Sequence, residues 1–226
     1  MFDRISVIGL GYIGLPTAAL FAANGHRVIG VDVAPHVIQT INKGEIHIVE
    51  PELDGIVHKA VSKGLLHATL EPEPADAFLI AVPTPFTEDR QPDLSYIESA
   101  ARMIAPVLET GNLVVLESTS PVGATEQMAA WLSEARPDLS FPQDAGEDAD
   151  VQIAHCPERV LPGHVVRELV ENDRIIGGMS DRASAMATDL YKLVVRGDCI
   201  TTAARCASWS RTALATSRSP SPTSCR

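Results

Sequence analysis

Basic residues are scarce in this sequence of 226: 18 Lys and Arg stand against 29 Asp and Glu, a formal net charge of −11. That deficit excludes a nucleic-acid or anionic-membrane surface as the main business of the fold. Cysteine is scarce too. Cys156, Cys199, Cys206 and Cys225 have no C-x-x-C spacing, so neither a zinc site nor a disulfide framework is indicated, and no metal site is expected. Long apolar runs are missing. Ile5 to Ala23 follows a basic residue and superficially resembles a secretory signal, but Gly9, Gly11, Gly14 and Pro16 interrupt it. No stretch of about 20 apolar residues suits a bilayer span. The expectation is a soluble, acidic, cytoplasmic protein without membrane partners.

What is present is a globular composition with 45% hydrophobic residues, in a length that suits one ordinary domain or two small ones. Short β-rich runs alternate with helical patterns. The strands expected are Ile5–Ile8, Arg27–Val31, Ala77–Val82, Leu113–Glu117, Val151–Ala154 and Arg174–Ile176. Helices are expected near Leu15–Ala23, Pro35–Lys43, Pro51–Ser62, Leu94–Leu108, Ala124–Ser133 and Arg182–Val194. Asn24-Gly25, Lys43-Gly44 and Lys63-Gly64 supply stops that tolerate positive φ, and Asp93 is placed to cap the Leu94 helix. Runs such as Phe78-Leu79-Ile80-Ala81-Val82 are apolar throughout, as in a parallel sheet covered on both faces. The fold class is α/β: a Rossmann-like, doubly wound, mostly parallel sheet.

Gly9-Leu10-Gly11-Tyr12-Ile13-Gly14 follows the first strand and opens the first helix. Gly9 permits the tight turn, Gly11 lets backbone approach a pyrophosphate, and Gly14 lets helix pack on strand. Asp32 ends the second strand, 18 residues after Gly14. Its carboxylate can accept both ribose hydroxyls and would repel the 2′-phosphate of NADP, so NAD is the expected cofactor; the bland alternative is a cap for the next helix. Val82-Pro83-Thr84-Pro85 turns the chain at a strand's carboxyl end, where Thr84 either faces a ligand or serves the turn. Glu117-Ser118-Thr119-Ser120-Pro121-Val122-Gly123 repeats that arrangement, its hydroxyls suited to a ligand, an ordered water or a helix cap, with Thr125 in the following first turn. In His155-Cys156-Pro157-Glu158-Arg159-Val160, Glu158 could hold a water or act as general base and Arg159 could bind an anion; a surface ion pair explains them equally well. Cys156 abuts a strand end and is a poor nucleophile candidate.

Taken together these segments resemble the UDP-glucose/GDP-mannose dehydrogenase family, and within it the bacterial UDP-N-acetyl-D-mannosamine 6-dehydrogenases. The resemblance rests on Ser6–Thr17, on Gly44-Glu45-Ile46-His47-Ile48-Val49-Glu50-Pro51, on Ile80–Pro85, on Leu116–Gly123 and on Cys156–Gly163. It implies a double oxidation of the sugar C6 alcohol to UDP-N-acetyl-mannosaminuronate, with two NAD⁺, a cysteine thiohemiacetal and thioester hydrolysis. It implies that Tyr12, Ile13, Asp32, Thr84 and Thr125 contact NAD, and that Arg159 and Val160 contact the UDP-sugar. Glu158 and Thr119 match the positions that orient the catalytic water and proton transfers. A stand-alone NAD-binding regulatory module is the alternative; a β-hydroxyacid dehydrogenase-like enzyme would share only the glycine turn.

The departures from the family are equally specific. Its catalytic lysine and asparagine lie on a long central helix, and its nucleophilic cysteine in a Gly-Gly-x-Cys setting. Here Lys192 is the last lysine, no Gly follows Gly197, and neither Cys199, Cys206 nor Cys225 fits. The central helix, through which family members homo-oligomerise, and the UDP-binding domain are expected to be missing, leaving a truncated, inactive cofactor-binding portion. Composition changes at the same place. Up to Arg196 there are 14 basic and 28 acidic residues; from Gly197 there are four and one. From Thr201 there is no Asp, Glu, Lys, Gly, Val or Ile. The domain is therefore expected to span 1–200, with 201–226 an irregular or disordered tail. The codons of Pro222–Arg226, regrouped one base earlier, can spell Asn-Glu-Leu-Ser, a run of the family's central helix, which suggests an out-of-frame translation. The rival reading is a basic Ser/Arg arm for an acidic partner.

Overall fold

The computed structural model describes residues 2–204 apart from 88, 90 and 159; the remaining C-terminal segment, 205–226, lies outside the described residues, and with it nearly all of the tail. In chain order the elements are β1 Arg4–Ile8, α1 Gly14–Ala23, β2 Arg27–Val31, α2 Pro35–Asn42, α3 Leu53–Ser62, β3 Leu66–Thr69, β4 Ala77–Ile80 and α4 Ser95–Ile104. There follow β5 Leu113–Leu116, α5 Ala124–Ala135, α6 Pro142–Ala145, β6 Gln152–His155, α7 Val165–Glu171, β7 Arg174–Gly178, α8 Asp181–Tyr191 and β8 Cys199–Ala203.

The strands form one sheet in the order β3-β2-β1-β4-β5-β6-β7-β8. Every pairing is parallel except β6 with β7, which run antiparallel with Ala154 opposite Gly178 and His155 opposite Gly177. The doubly wound α/β expectation is correct, and the order reverses between β1 and β4, the place where such sheets bind ligands. Period-2 alternation sends strand residues into two cores. Ile5, Val7, Leu79, Val115 and Ala154 pack with Phe21, Leu53, Leu169 and Leu190 on one face. Phe78, Ile80, Val114, Leu116 and Ile153 pack with Ile97, Ile104, Met128 and Phe141 on the other. Burial on both faces is why these strands read as unbroken apolar runs.

Gly25, Gly44 and Gly64 stop α1, α2 and α3 with φ of +98°, +78° and +67°, as the sequence suggested. Asp93 accepts from the Ser95 amide at 2.9 Å at the start of α4. Ser180 caps α8 by accepting from the Ala183 amide at 2.9 Å, while its hydroxyl donates to Gln152 Oε1 at 2.5 Å. Glu147 completes that helix start, each carboxylate oxygen accepting one amide, of Asp181 or Arg182, at 2.7 Å.

Three differences from the sequence reading have physical causes. Strand β3 was not expected: Leu66-His67-Ala68-Thr69 lies at the sheet edge and buries only alternate residues. Strand β8 was also not expected, and it carries regular structure to Ala203, past the boundary at 200, because Cys199 to Ala203 pair with β7 from Arg174 to Gly178. Helix α3 starts at Leu53 rather than Pro51, since Glu52 adopts φ +67°. Among the described residues no helix is long and apolar enough to cross a membrane, and no group of three His, Cys, Asp or Glu could hold a metal ion.

Candidate active site

A cavity of about 560 Å³ opens at the carboxyl ends of β1, β2, β4, β5 and β6, centred on the point where the strand order reverses. Its floor is the glycine turn. Gly9 has φ +90°, and a Cβ there would stand 2.8 Å from the Ala81 carbonyl oxygen. A Cβ on Gly14 would stand 1.8 Å from the Gly9 carbonyl oxygen, a distance no side chain tolerates. Gly11 is different: a Cβ would meet nothing within 4 Å, and the residue lines the cavity. The first and third glycines are therefore required by the fold itself. At Gly11 the turn leaves clear space beside the start of α1, whose amides favour an anion.

Asp32 closes one side. Its carboxylate accepts from the Leu10 amide and the Ala34 amide, both at 2.9 Å, so it braces the glycine turn and the start of α2. It does not cap α2, whose N-cap is Ala34 without a side-chain bond, but holds the turn that leads into that helix. Each carboxylate oxygen still has a second lone-pair direction for a hydroxyl donor. On the opposite side the loops after β4 and β5 are tied together. Ser118 donates to the Val82 carbonyl at 2.5 Å, and Thr84 donates to the Thr119 carbonyl. None of Ser118, Thr119 and Ser120 caps α5, whose N-cap is Gly123 at φ +93° without a side-chain bond. The hydroxyls of Ser118 and Thr84 instead fix the cavity wall.

Gly9, Gly11, Tyr12, Ile13, Asp32, Thr84, Thr119 and Glu158 all line this one cavity. Gly14 lies beneath it, against Gly9. Thr125 is buried in the first turn of α5 and does not line the cavity, and Val160 packs against the core. Arg159 lies outside the described residues. The sequence reading missed the contribution of α4, which brings Tyr96, Ser99 and Met103 to the wall.

It also missed a buried polar cluster at the rear. Glu117 is only 1% exposed; Tyr191 Oη donates to one of its oxygens at 2.8 Å, and the other has no partner among the described residues. Burial raises its carboxyl from 4.5 to about 7, against the pull of the Arg174 guanidinium. Arg174 is itself buried, stacks on the Tyr191 ring at 5.4 Å and donates to the Leu169 carbonyl at 3.3 Å. Arg174 also lies within electrostatic reach of Glu158. Burial pushes the neighbouring Cys156 thiol up to about 12, so it carries no thiolate near neutral pH, in agreement with its dismissal as a nucleophile.

A glycine turn at a strand-to-helix junction, an acidic residue closing β2 and a cavity at the strand switch define a dinucleotide-binding domain. The comparisons make this particular. The family model for the NAD binding domain of the UDP-glucose/GDP-mannose dehydrogenase family matches residues 3–195, and the chain belongs to that family. It is 68% identical over 206 residues to the NDP-N-acetyl-D-galactosaminuronic acid dehydrogenase of Ralstonia nicotianae, covering 91% of this chain and 49% of the relative. It is 65% identical to the UDP-N-acetyl-D-mannosamine dehydrogenase of Yersinia pestis, with the same coverage. The solved UDP-N-acetyl-mannosamine dehydrogenase of Staphylococcus aureus superposes with a TM-score of 0.85 at 38% identity, over 92% of this chain and 49% of that one. The chain therefore spans about half the length of the relatives it matches.

Proposed function

We propose that this chain is the cofactor-binding half of a nucleotide-sugar 6-dehydrogenase acting on UDP-N-acetyl-mannosamine. The observation that carries the reading is the gathering of Gly11, Asp32, Thr84, Thr119 and Glu158 on one cavity at the strand switch. The open space at Gly11 suits a pyrophosphate, and Asp32 suits the adenosine ribose. NAD, when bound, supplies a hydride acceptor. Glu158, buried at the cavity wall, then serves to hold a water or a proton, with Thr119 on the same cavity, and the family resemblance assigns Arg159 and Val160 to the nucleotide sugar. Relatives named for N-acetylgalactosaminuronic acid and for N-acetylmannosamine are both close, which supports an N-acetylated nucleotide hexosamine as the substrate class. In the proposed reading the chain binds NAD but does not turn over the sugar, because the lysine, asparagine and cysteine that the resemblance requires have no counterpart in it.

Calorimetric titration with NAD and NADP tests the cofactor half of the reading. NAD should bind at least about tenfold more tightly than NADP, and Asp32→Asn should cost about tenfold in NAD affinity, or about 1.4 kcal/mol. Equal affinity for the two cofactors would sink the assignment of Asp32. Purified protein mixed with NAD and UDP-N-acetyl-mannosamine should form no NADH; steady NADH formation would refute the proposed inactivity.

A further inference from the structure

The segment between α2 and α3 does more than connect two helices. It leaves α2 through Gly44 at φ +78° and enters α3 through Glu52, the one non-glycine residue of positive φ among the described residues. Left-handed backbone at a glutamate is strained and persists only where surrounding contacts impose it. Those contacts are at Val49 and Glu50. Tyr12, in the glycine turn, donates its hydroxyl to the Val49 carbonyl at 3.0 Å. Glu50 is 5% exposed, and both its carboxylate oxygens are taken by amides more than a hundred residues along the chain: Gly163 at 2.9 Å and Val165 at 2.6 Å.

The loop held in this way is the one that follows β6 and carries Glu158 and Val160. At its start the Glu158 amide donates to the Glu117 carbonyl at 3.4 Å. At its end Leu161 donates to Glu168 at 2.8 Å, and Gly163 has φ +88°. Glu168 belongs to α7, the helix that follows the loop. Glu50 is the carboxylate that fastens the loop's end to the other half of the sheet, on the side of β1 and β2. The two bonds are charge-assisted and nearly dry, the class in which removal of the acceptor costs most.

We propose that Glu50 is a positioning residue for the end of the loop after β6, from Val160 to His164, and that residues 45–52 form a strap through which the glycine turn, at Tyr12, holds that loop end. A ligand seated on the turn stiffens the strap, and the strap stiffens the loop that the proposed function assigns to the nucleotide sugar. The proposal rests on that reading for its purpose, but the tether itself does not.

Hydrogen exchange, resolved to the Gly163 and Val165 amides of the full 226-residue chain, tests it with and without saturating NAD. Without cofactor, exchange at both amides should speed up by about tenfold in Glu50→Gln, which keeps one acceptor oxygen, and further in Glu50→Ala, while the β1 and β4 amides are unchanged. With NAD, the wild-type protein should gain further protection at both amides. Tyr12→Phe and Glu50→Gln should lose that gain, at NAD concentrations adjusted to saturate each variant. A tether with only a structural role would leave the NAD-dependent protection intact in Tyr12→Phe, and that result overturns the strap. Equal exchange in wild type and Glu50→Gln, with the strand amides intact, overturns the role of Glu50. Should Glu50→Ala not fold, the Gln variant decides alone. If NAD fails to bind the wild-type chain, the cofactor reading falls, and the exchange rates without cofactor still decide on Glu50.

Discussion

Glu117 makes the stability of this domain depend on pH in a direction opposite to that of an ordinary surface carboxylate. In the unfolded chain its carboxyl has the ordinary value of 4.5; in the folded protein burial moves it to about 7. Between those values the folded state holds a proton that the unfolded state has released. Stability from this group is therefore complete below about pH 4.5 and is lost as pH rises through about 7. At about 1.4 kcal/mol for each pH unit the full loss is about 3 kcal/mol, a large share of a typical domain stability of roughly 5–15 kcal/mol. Arg174, Tyr191, Cys156 and Glu158 are the ionisable groups around it: Arg174 and the Tyr191 hydroxyl pull its value down and Glu158 pushes it up. Glu117→Gln removes the titration. The amide keeps an oxygen for Tyr191 but sets its NH₂ where the second carboxylate oxygen has no partner, an offset of about 1–3 kcal/mol against the variant at every pH. The offset does not alter the comparison of slopes. Urea unfolding from about pH 5 to pH 8 should show the wild type losing about 2.5 kcal/mol relative to the variant. Two curves parallel to within about 0.5 kcal/mol would refute the reasoning, because they would mean that Glu117 is ionised at no extra cost in its buried site.

Two further outcomes follow from single contacts. Gly14→Ala sets a methyl 1.8 Å from the Gly9 carbonyl oxygen, so α1 must move off β1; a cost of at least about 3 kcal/mol is expected in denaturant midpoint, together with loss of NAD binding, and an unchanged midpoint would contradict the geometry of the turn. Ser180→Ala removes the cap of α8 and the bond to Gln152; with Glu147 still capping the neighbouring amides, about 1 kcal/mol should be lost in urea unfolding, and no loss would show that Glu147 suffices.

Much of the fold was legible because the central strands are buried on both faces and advertise it as unbroken apolar runs. Edge strands do not. His67 in β3 is exposed, and β8 is built from Cys, Ile, Thr and Ala at the place where composition turns away from that of a core. The site was legible for a related reason: each of its motifs is a contiguous stretch at one strand's end, and the sheet alone brings the ends together. What stayed hidden depends on distant pairs. Tyr191 meets Glu117 across 74 positions, and Glu50 meets Gly163 and Val165 across 113 and 115. No local spacing signals such bonds. The same holds for Thr84, whose hydroxyl reads as facing a ligand or serving the turn, and for Ser118, whose hydroxyl reads as suited to a ligand, a water or a helix cap; both donate to a neighbouring loop's carbonyl.

The reversal of β7 has a consequence for where the cavity's charge is anchored. In a sheet parallel throughout, only the last residues of strands reach the rim where ligands sit. Turning β7 around brings its first residue, Arg174, to that end of the sheet instead, where it lies buried behind the cavity with Glu117 and Tyr191. Its backbone is set by the outermost strand: the Arg174 amide donates to the Asp198 carbonyl at 2.8 Å, and Cys199 stands beside it in register. The proton affinity of Glu117, deep in a cavity built by residues 8–158, is thereby tethered to the edge of the sheet at residues 198–203. An alteration in that peripheral strand, far in sequence from every glycine and hydroxyl of the site, is therefore expected to shift the titration of Glu117.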